Sequence, residues 1–253
     1  MIKIIIIIGK MTEKNTNAIA LFDIDGTLTT PRGKITSDMI DTLKQLSTKM
    51  LIGVVGGSDF IKQKEQLGDV VEWVDYAFSE NGLVVYQGNQ LIHTQRLTDA
   101  ISNEQINTLV NFCLHSIANL DMPVKRGTFI EFRTGMINIS PIGRGCNQQE
   151  RDAFQVYDKQ HSIRQTMVNQ LNQQFGHVFS FAIGGQISID CYPIGWDKTY
   201  CLPFLTPIQH IYFFGDKTDI GGNDYAIYND PRVIGYKVNN YKETIDLIHQ
   251  LWL

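Results

Sequence analysis

Two apolar segments that each end in aspartate restrict the fold of this chain more than any other feature. The first reads AIALFDIDGT, residues 18–27, and the second reads HIYFFGD, residues 210–216. Each begins with a continuous apolar run of strand length, and each lies beside a glycine that marks a turn. Buried strands of this kind belong mainly to parallel sheets, and ligands bind beyond the carboxyl ends of such strands. The pattern therefore predicts an α/β sheet with polar chemistry at one edge.

Strand-like and helical segments alternate along the first third of the chain, up to about Tyr76. The segments ITSDMIDTLKQLSTK and DFIKQKEQLG have helical spacing of apolar residues, and Gly68 is expected to end the second helix. Between them, LIGVVGG is typical of a buried strand. The following YAFSENGLVVYQGNQLI predicts a strand and a hairpin, because NG and GN mark turns. This alternation predicts a doubly wound parallel sheet.

The pattern changes between about Ile92 and Pro193. Two helices are predicted there, ISNEQINTLVNFCLHSIANL and QQERDAFQVYDKQHSIRQTMVNQLNQQF, together with four strand-like runs, FIEFRTG, MINISPIG, VFSFAIGG and QISIDCYP. A helix near Lys198, the strand HIYFFGD and the helix YKETIDLIHQLW then return to the first pattern. We therefore expect a core formed by residues 18–90 and 194–253, an inserted α+β domain over residues 91–193 with an antiparallel sheet, and a leader at residues 1–17 outside the fold.

Composition and the N-terminal residues exclude several classes of protein. The formal net charge is −4 and no basic stripe is present, so nucleic acid is not an expected partner. The four cysteines form no CxxC pair, which favours reduced thiols in a cytoplasmic protein. The run Ile4–Ile8 is too short to span a bilayer, and it lacks the cleavage site of a signal peptide. An edge strand, a disordered leader and a translation start at Met11 are all open alternatives.

Asp23 and Asp25 form a carboxylate pair at the end of the first predicted strand. Residues i and i+2 of a strand point to the same face, and two like charges so close require a cation or a proton. An EF-hand loop is excluded, because its sixth and twelfth positions would be Leu28 and Lys34 instead of Gly and Glu. The other alternative is a solvated turn. Oxygen ligands beside a phosphate suit Mg²⁺, which is the cation we expect.

Polar residues at other predicted strand ends supply partners for this pair. Asp216 ends the strand HIYFFGD and is a candidate ligand of the same cation. Asn223 and Asp224 follow it after a glycine-rich loop, and they are expected to orient ligands indirectly. Lys198 near a helix start could neutralise a phosphate and a carboxylate nucleophile. Ser58 follows two glycines in VVGGSD, where its hydroxyl and backbone N–H groups could bind a phosphoryl group.

These motifs together resemble the eukaryotic-type phosphomannomutases of the haloacid dehalogenase superfamily. The matching segments are FDIDGTLTTPRGKIT, VVGGSDFIKQKEQLG, EFRTGMINISPIGR, GGQISIDCYPIGWDK and YFFGDKTDIGGND, and the resemblance extends from about Ile19 to the C-terminus. It implies a haloacid dehalogenase-like Rossmannoid core with a parallel sheet. It also implies an inserted α+β cap domain with an antiparallel sheet, which carries substrate specificity and dimerisation.

The resemblance implies an isomerase that interconverts mannose 6-phosphate and mannose 1-phosphate through an aspartyl-phosphate and a hexose 1,6-bisphosphate. The product would serve GDP-mannose synthesis and protein glycosylation. The implied cofactors are Mg²⁺ and glucose or mannose 1,6-bisphosphate as activator, and the implied assembly is a homodimer formed through the cap. Phe129 is a candidate dimer contact or, alternatively, a residue of the cap core. A Mg²⁺-dependent sugar-phosphate phosphatase with the same carboxylates is the alternative function, and the preference between mannose and glucose phosphates stays open.

Specific roles for the site residues also follow from this resemblance. Asp23 would be the nucleophile, Asp25 the general acid/base, and Lys198 would offset charge on the transferring group. The implied substrate-binding residues are Arg32, Ser58, Arg133, Arg144, Arg151, Ser188 and Asp190. The implied Mg²⁺ ligands are Asp23, Asp216 and the backbone carbonyl of Asp25. A second, weaker cation site is implied around Tyr228, Asp230 and the backbone of Val233.

A mutase must also bind a second phosphate, and three of these residues are suited to that role. Arg133, Arg144 and Arg151 lie close together in the sequence of the predicted cap. Guanidinium groups bind phosphate through two hydrogen bonds and stay charged at every working pH. Any one of them taken alone could equally be a solvated surface arginine.

Overall fold

The strands form two separate sheets in the computed structural model, which describes residues 14–253. In chain order they are β1 (Asn15–Phe22), β2 (Met50–Val55), β3 (Tyr76–Ser79), β4 (Val84–Gln87), β5 (Gln90–Thr94), β6 (Ile130–Phe132), β7 (Ile137–Ile139), β8 (Phe179–Gly184), β9 (Ser188–Pro193), β10 (His210–Gly215) and β11 (Val233–Lys237). The larger sheet has the order β11-β10-β1-β2-β3-β4-β5, and the smaller has the order β6-β7-β9-β8. The predicted α/β core and separate antiparallel sheet are confirmed.

Helices connect these strands in both parts of the chain. They are α1 (Ser37–Ser47), α2 (Phe60–Leu67), α3 (Val70–Trp73), α4 (Leu97–Ala100), α5 (Asn103–Asn119), α6 (Gln148–His161), α7 (Ile163–Phe175), α8 (Tyr225–Tyr228) and α9 (Tyr241–Trp252), with 3₁₀ segments at Glu80–Gly82 and Lys198–Leu205. Helix α2 shows why such segments begin and end where they do. The Asp59 carboxylate accepts a hydrogen bond from Lys62 N at 2.9 Å. Gly68 follows with a φ of 58°, a left-handed conformation that glycine adopts without strain.

Strands β1, β2, β3, β10 and β11 are parallel, whereas β4 and β5 form an antiparallel hairpin at one edge. Alternate residues of β1 pack on opposite faces. Ala20 and Phe22 contact the cluster that includes α1 and α9, whereas Ile19 and Leu21 contact the cluster around Leu202. Both faces are therefore covered, as a parallel sheet requires. Because β1 and β10 are neighbours, their carboxyl ends bring the two predicted aspartate motifs together.

The smaller sheet and its helices form the cap, which we define as residues 97–193. Helices α5 and α7 cover one face, where Leu109, Cys113 and Leu171 belong to the same buried cluster as Ile137 and Ile189. The opposite face is polar. Three polar residues lie side by side there on adjacent strands. Asn138 of β7 pairs with Glu131 of β6 on one side and with Asp190 of β9 on the other.

Two predicted boundaries were wrong by a few residues. Strand β1 begins at Asn15, inside the predicted leader, because Asn15 N donates to Lys49 O at 2.7 Å and Lys14 pairs with Asp75 at 2.9 Å. The polar sequence of this stretch gave no strand signal. Strand β5 pairs with β4 as far as Thr94, so the larger sheet extends past the predicted boundary at residue 90. The remaining leader, residues 1–13, lies outside the described residues.

The predicted second cap helix is in fact two helices, α6 and α7. They are separated by Ser162, whose φ of 53° and ψ of 37° are left-handed and end the first helix. The Asp158 carboxylate bonds both the backbone N and the side chain of Arg164, each at 2.7 Å, across this break. No glycine or proline marks the break, which is why the sequence pattern did not reveal it. Between residues 14 and 253, no helix is long and apolar enough to cross a membrane.

Candidate active site

Asp23 lies directly after β1, at the carboxyl edge of the larger sheet, and is almost fully buried. Its carboxylate forms an ion pair with Lys198, and Lys198 Nζ also lies 2.5 Å from Asp224 Oδ1. Burial raises the pKa of Asp23 from 3.8 to about 7, although Lys198 acts in the opposite direction and Asp224 adds to the increase. The two aspartates outweigh the burial of Lys198 and raise the pKa of its ammonium group. Lys198 is therefore charged and lies beside Asp23, the candidate nucleophile.

The acidic cluster beside Lys198 has the composition of a divalent cation site. Oxygen atoms of Asp23, Asp216 and Asp224 lie within 4.8 Å of one another. The Oδ1 atom of Asp216 is buried and has no hydrogen-bond partner among the described residues. Burial raises the pKa of Asp216, with Asp224 contributing in the same direction. An oxygen-only cluster with an unpartnered carboxylate atom fits Mg²⁺, which would relieve the repulsion.

Gly26 brings the DGT turn against this cluster. Its φ is +89°, and any side chain there would overlap the Asp216 carboxylate. A glycine is therefore required both by the backbone conformation and by the close approach of the two strand ends. The Gly26 N–H donates to Thr29 O at 2.8 Å, which closes the turn after the carboxylate pair.

Asp25 is less buried than Asp23, and its side chain is held by two donors. Asp25 Oδ1 accepts a hydrogen bond from the backbone N of Arg32 at 2.6 Å and another from Gln66 Nε2 at 2.8 Å. Arg32 has a left-handed φ of 61° and an exposed side chain. The loop that carries Arg32 therefore lies against the candidate acid/base.

Ser58 lies between β2 and α2, on the same edge of the sheet. Its carbonyl accepts a hydrogen bond from Glu80 N at 3.0 Å, and the preceding Gly56 bonds Phe78 and Asn81 through its backbone. A Cβ at Gly57 would be 3.7 Å from Asn81 and 3.9 Å from Met136 of the cap. This strand end therefore faces the cap.

The three predicted cap arginines lie in one polar cluster. Arg133 and Arg144 both contact Glu131, at 2.5 Å and 3.2 Å, and Arg144 also donates to Asn138 at 2.7 Å. Arg151 donates to the backbone carbonyl of Arg144 at 3.0 Å. Burial would raise the pKa of Asp59 in the core, but Lys62 and, to a smaller extent, the charge of Arg133 outweigh burial and lower it. The charge of Lys62 in turn makes a small contribution to the lowered pKa of Glu131. The arginine cluster of the cap therefore lies near α2 of the core, and we call the space between core and cap the cleft.

Ser188 and Asp190 lie on β9, beside this cluster. Asp190 Oδ1 accepts a hydrogen bond from Asn138 Nδ2 at 2.6 Å, which connects it to Arg144. Ser188 is buried, and its carbonyl accepts a hydrogen bond from Arg164 at 3.2 Å. Asp190 therefore belongs to the polar face of the cap, and Ser188 lies two residues before it on the same strand.

Comparison with known proteins gives the family of this chain. Residues 39–253 match the family model described as eukaryotic phosphomannomutase. The chain belongs to this family. Curated phosphomannomutases support the assignment over almost the whole length. The protein from Oryza sativa subsp. indica is 52% identical over 95% of this chain and 98% of its own, and that from Nicotiana benthamiana is 53% identical over 93% and 94%.

Solved structures show the same fold at low sequence identity. A protein from Streptococcus mutans has a TM-score of 0.63 at 17% identity and covers 93% of this chain and 98% of its own. A haloacid dehalogenase-like hydrolase from Bacteroides thetaiotaomicron has a TM-score of 0.59 at 13% identity, with coverages of 95% and 100%. At these identities the likeness concerns the fold alone. This phosphomannomutase family member therefore has a haloacid dehalogenase-like architecture.

The residues of the implied second cation site lie apart from the acidic cluster, at α8 and the start of β11. Both carboxylate oxygens of Asp230 bond the Arg232 side chain at 2.8 Å, which lowers the pKa of Asp230. Asp230 O also accepts from Val233 N at 3.0 Å. These contacts disfavour a cation at the carboxylate, because the Arg232 guanidinium already holds it. A site formed by backbone oxygens, with Tyr228, stays a prediction.

Three residues contribute more to the site of this phosphomannomutase relative than its sequence indicated. Asp224 pairs with Lys198 and belongs to the acidic cluster, whereas an indirect role was predicted. Gln66 holds Asp25, and its position near the end of a predicted helix gave no sign of this. Glu80 is buried between the strands and accepts a hydrogen bond from Gly135 N of the cap at 2.8 Å. The only available signal was the ENG turn that contains it.

Proposed function

We propose that this chain is a phosphomannomutase that interconverts mannose 6-phosphate and mannose 1-phosphate. The observation that carries the proposal is the presence of two charged sites, one in the core and one in the part of the cap that lies near α2. One is the Asp23 and Lys198 pair of the core, and the other is the arginine cluster of the cap. A phosphatase needs only the first, whereas a mutase must also hold the second phosphate of a bisphosphate.

The proposed reaction begins with Asp23 carrying a phosphoryl group. A sugar hydroxyl attacks phosphorus while Asp25 accepts its proton, and the bond from phosphorus to the Asp23 oxygen breaks. The resulting hexose 1,6-bisphosphate reverses its orientation in the cleft. Asp23 then attacks the other phosphate, and Asp25 returns the proton to the departing sugar oxygen. Lys198 offsets negative charge at the transferring group throughout.

We propose that Asp23, Asp216 and the carbonyl of Asp25 hold Mg²⁺. When bound, this ion offsets charge on the phosphoryl oxygens. The unpartnered Oδ1 of Asp216 supports this assignment. Because the unmodified Asp23 carries no phosphoryl group, a glucose or mannose 1,6-bisphosphate is needed as an activator to phosphorylate it. We also propose that the enzyme acts in the cytoplasm and supplies GDP-mannose synthesis for glycosylation, which its family membership supports.

A homodimer formed through the cap is a further part of this proposal. Strand β6 is an edge of the smaller sheet. Phe132 on this strand is 53% exposed, whereas Phe129, the residue first considered, is half-buried and packs against the cap core. An open strand edge beside an exposed aromatic side chain suits pairing with a second copy.

The function is tested by converting mannose 1-phosphate to mannose 6-phosphate in a coupled assay with Mg²⁺, while free phosphate is followed. We expect isomerisation that depends on a trace of glucose 1,6-bisphosphate and releases little phosphate. Asp23→Ala should abolish turnover. Phosphate release without isomerisation would show a sugar-phosphate phosphatase instead. Wild-type turnover by Asp23→Ala would contradict the mechanism.

A further inference from the structure

A single glutamate of the cap lies between two of the arginines that the proposed function assigns to phosphate. Glu131 Oε2 lies 2.7 Å from Arg133 Nε and 3.2 Å from Arg144 Nε. Both guanidinium groups therefore have an anionic partner in the absence of phosphate. Arg151 differs from them, because its donors bond the carbonyls of Cys146 and Arg144.

The surroundings of Glu131 keep it charged. Partial burial alone would raise the pKa of Glu131, but the hydrogen bond and charge of Arg133, with smaller contributions from Arg144 and Lys62, outweigh burial and lower it. The Glu131 side chain is 30% exposed, and the side chains of Arg133 and Arg144 are 13% and 22% exposed. A phosphate that approaches from the core would meet two arginines already paired with a carboxylate.

We propose that Glu131 is a further residue of the substrate site, which competes with the distal phosphate of the substrate for Arg133 and Arg144. The inference rests on the proposed mutase function, because a mutase must hold the distal phosphate and then release it. Three arginines without an opposing charge would bind a bisphosphate so tightly that its reorientation would limit turnover. Glu131 re-forms its contacts as the phosphate leaves, and this lowers the barrier to release.

A purely structural role for Glu131 predicts the opposite effect on binding. If the carboxylate only held the two guanidinium groups in place, its removal would let them move and would weaken phosphate binding. If the carboxylate competes, its removal leaves the arginines more available and strengthens phosphate binding. The direction of the change in affinity therefore separates the two roles.

The test uses Glu131→Gln, which keeps the shape of the side chain and removes its charge. Binding of glucose 1,6-bisphosphate is measured by calorimetry with Mg²⁺ in an Asp23→Asn background, in which phosphoryl transfer cannot occur. We expect the Kd to decrease about tenfold relative to Asp23→Asn alone. Glu131→Ala should also lower the Kd, and it provides a second variant if the first does not fold. A Kd that increases or stays the same would overturn the proposal.

Glu150→Gln is the matched control. Glu150 also bonds an arginine, Arg126, at 2.7 Å, but this pair lies outside the arginine cluster. Glutamine can replace glutamate in the capping box that Glu150 forms with Asn147. We expect no change in the Kd for glucose 1,6-bisphosphate.

Steady-state kinetics with Asp23 intact give a second measurement. We expect Glu131→Gln to lower both the KM for mannose 1-phosphate and kcat. Glu131→Asp should restore both values in part. A higher KM in Glu131→Gln would contradict the competition. Absence of isomerisation by the wild-type chain would overturn the proposed function, while the ratio of Kd values would still decide the role of Glu131. A wild-type chain that does not bind the bisphosphate would overturn both.

Discussion

Asp25 is held by a residue outside the DIDG motif, Gln66 of α2. Gln66 donates to Asp25 Oδ1 at 2.8 Å, and its carbonyl accepts a hydrogen bond from Ile35 N at 2.8 Å. Gln66 therefore connects the end of α2 with both the acid/base and the loop of Arg32. A general acid/base is effective only while its carboxylate stays within hydrogen-bond reach of the sugar hydroxyl. Gln66 is thus expected to affect turnover through the position of Asp25.

Replacement of Gln66 by Leu removes this hydrogen bond while keeping a side chain of similar size. We expect kcat for isomerisation to fall roughly tenfold to a hundredfold, because small displacements of a catalytic group are costly. The KM should change little. Gln45→Leu, an exposed substitution on α1, serves as the control and should leave kcat unchanged. An unaltered kcat in Gln66→Leu would show that Asp25 needs no such support.

The buried carboxylate of Asp23 makes the metal-free protein sensitive to pH. The pKa of Asp23 is about 7 in the folded protein, against an ordinary value of 3.8. Between these values the folded state retains a proton that the unfolded state has lost, so the free energy of unfolding falls as the pH rises. Asp23→Asn removes this dependence. With a chelator present, we expect its Tm to exceed that of the wild type at pH 8, with a smaller difference at pH 5.

Thermal unfolding of both proteins at several pH values between 5 and 8 checks this prediction. Asp219→Asn is the control, because Asp219 is an exposed acid in the loop after β10. A difference in Tm that does not vary with pH would contradict the burial effect assigned to Asp23.

At the scale of elements, the break between α6 and α7 helps to position one end of the polar face of the cap. Arg164 is buried and donates to Asp158 and to the carbonyls of Gly184, Gly185 and Ser188. One guanidinium group therefore joins the helix break to the β8–β9 hairpin. Because Ser188 begins β9, this contact fixes the start of the strand that carries Asp190.

Arg164→Leu should destabilise the protein by about 3–5 kcal/mol, because it leaves the buried Asp158 carboxylate without its charged partner. Asp158→Asn combined with Arg164→Leu should be less destabilised than Arg164→Leu alone. Lys237→Leu breaks the exposed pair with Asp219 and should change stability by less than about 1 kcal/mol. Chemical denaturation measures all three. A similar decrease in the free energy of unfolding in Arg164→Leu and Lys237→Leu would contradict the structural role of the buried pair.

At the scale of the whole molecule, the candidate site exists only where two separate units meet. The acidic cluster belongs to the carboxyl edge of the larger sheet, and the arginine cluster belongs to the polar face of the cap. Glu80 and Gly135 connect the two units by a buried hydrogen bond of 2.8 Å. A cation bound to the acidic cluster would therefore stabilise the core part of this site.

Removal of divalent cations should abolish isomerisation and lower the Tm, since a ligand that binds only the folded state stabilises it by mass action. Restoring Mg²⁺ after treatment with a chelator should reverse both effects. Asp216→Asn should lose the increase in Tm caused by Mg²⁺, whereas Asp219→Asn should retain it. An Asp216→Asn protein that responds to Mg²⁺ like the wild type would exclude Asp216 as a ligand.

The sequence by itself determined the elements of the core and the nature of the chemistry. Apolar runs ending in Asp23 and Asp216 predicted buried strands of a parallel sheet, because such runs can be buried only when both faces of a sheet are covered. The spacing of acids, glycines and arginines was specific enough to identify the family. These features are local, so they can be read without knowledge of distant contacts.

Only the tertiary structure decided which side chains act on one another. The contacts of Gln66 with Asp25, of Asp224 with Lys198 and of Glu131 with two arginines join residues from different elements or from opposite sides of a turn. Their residue types are common on any protein surface and carry no periodic signal. The break at Ser162 was also hidden, because no glycine or proline marks it and a buried ion pair stabilises it. Burial and charge depend on neighbours that only the folded chain brings together.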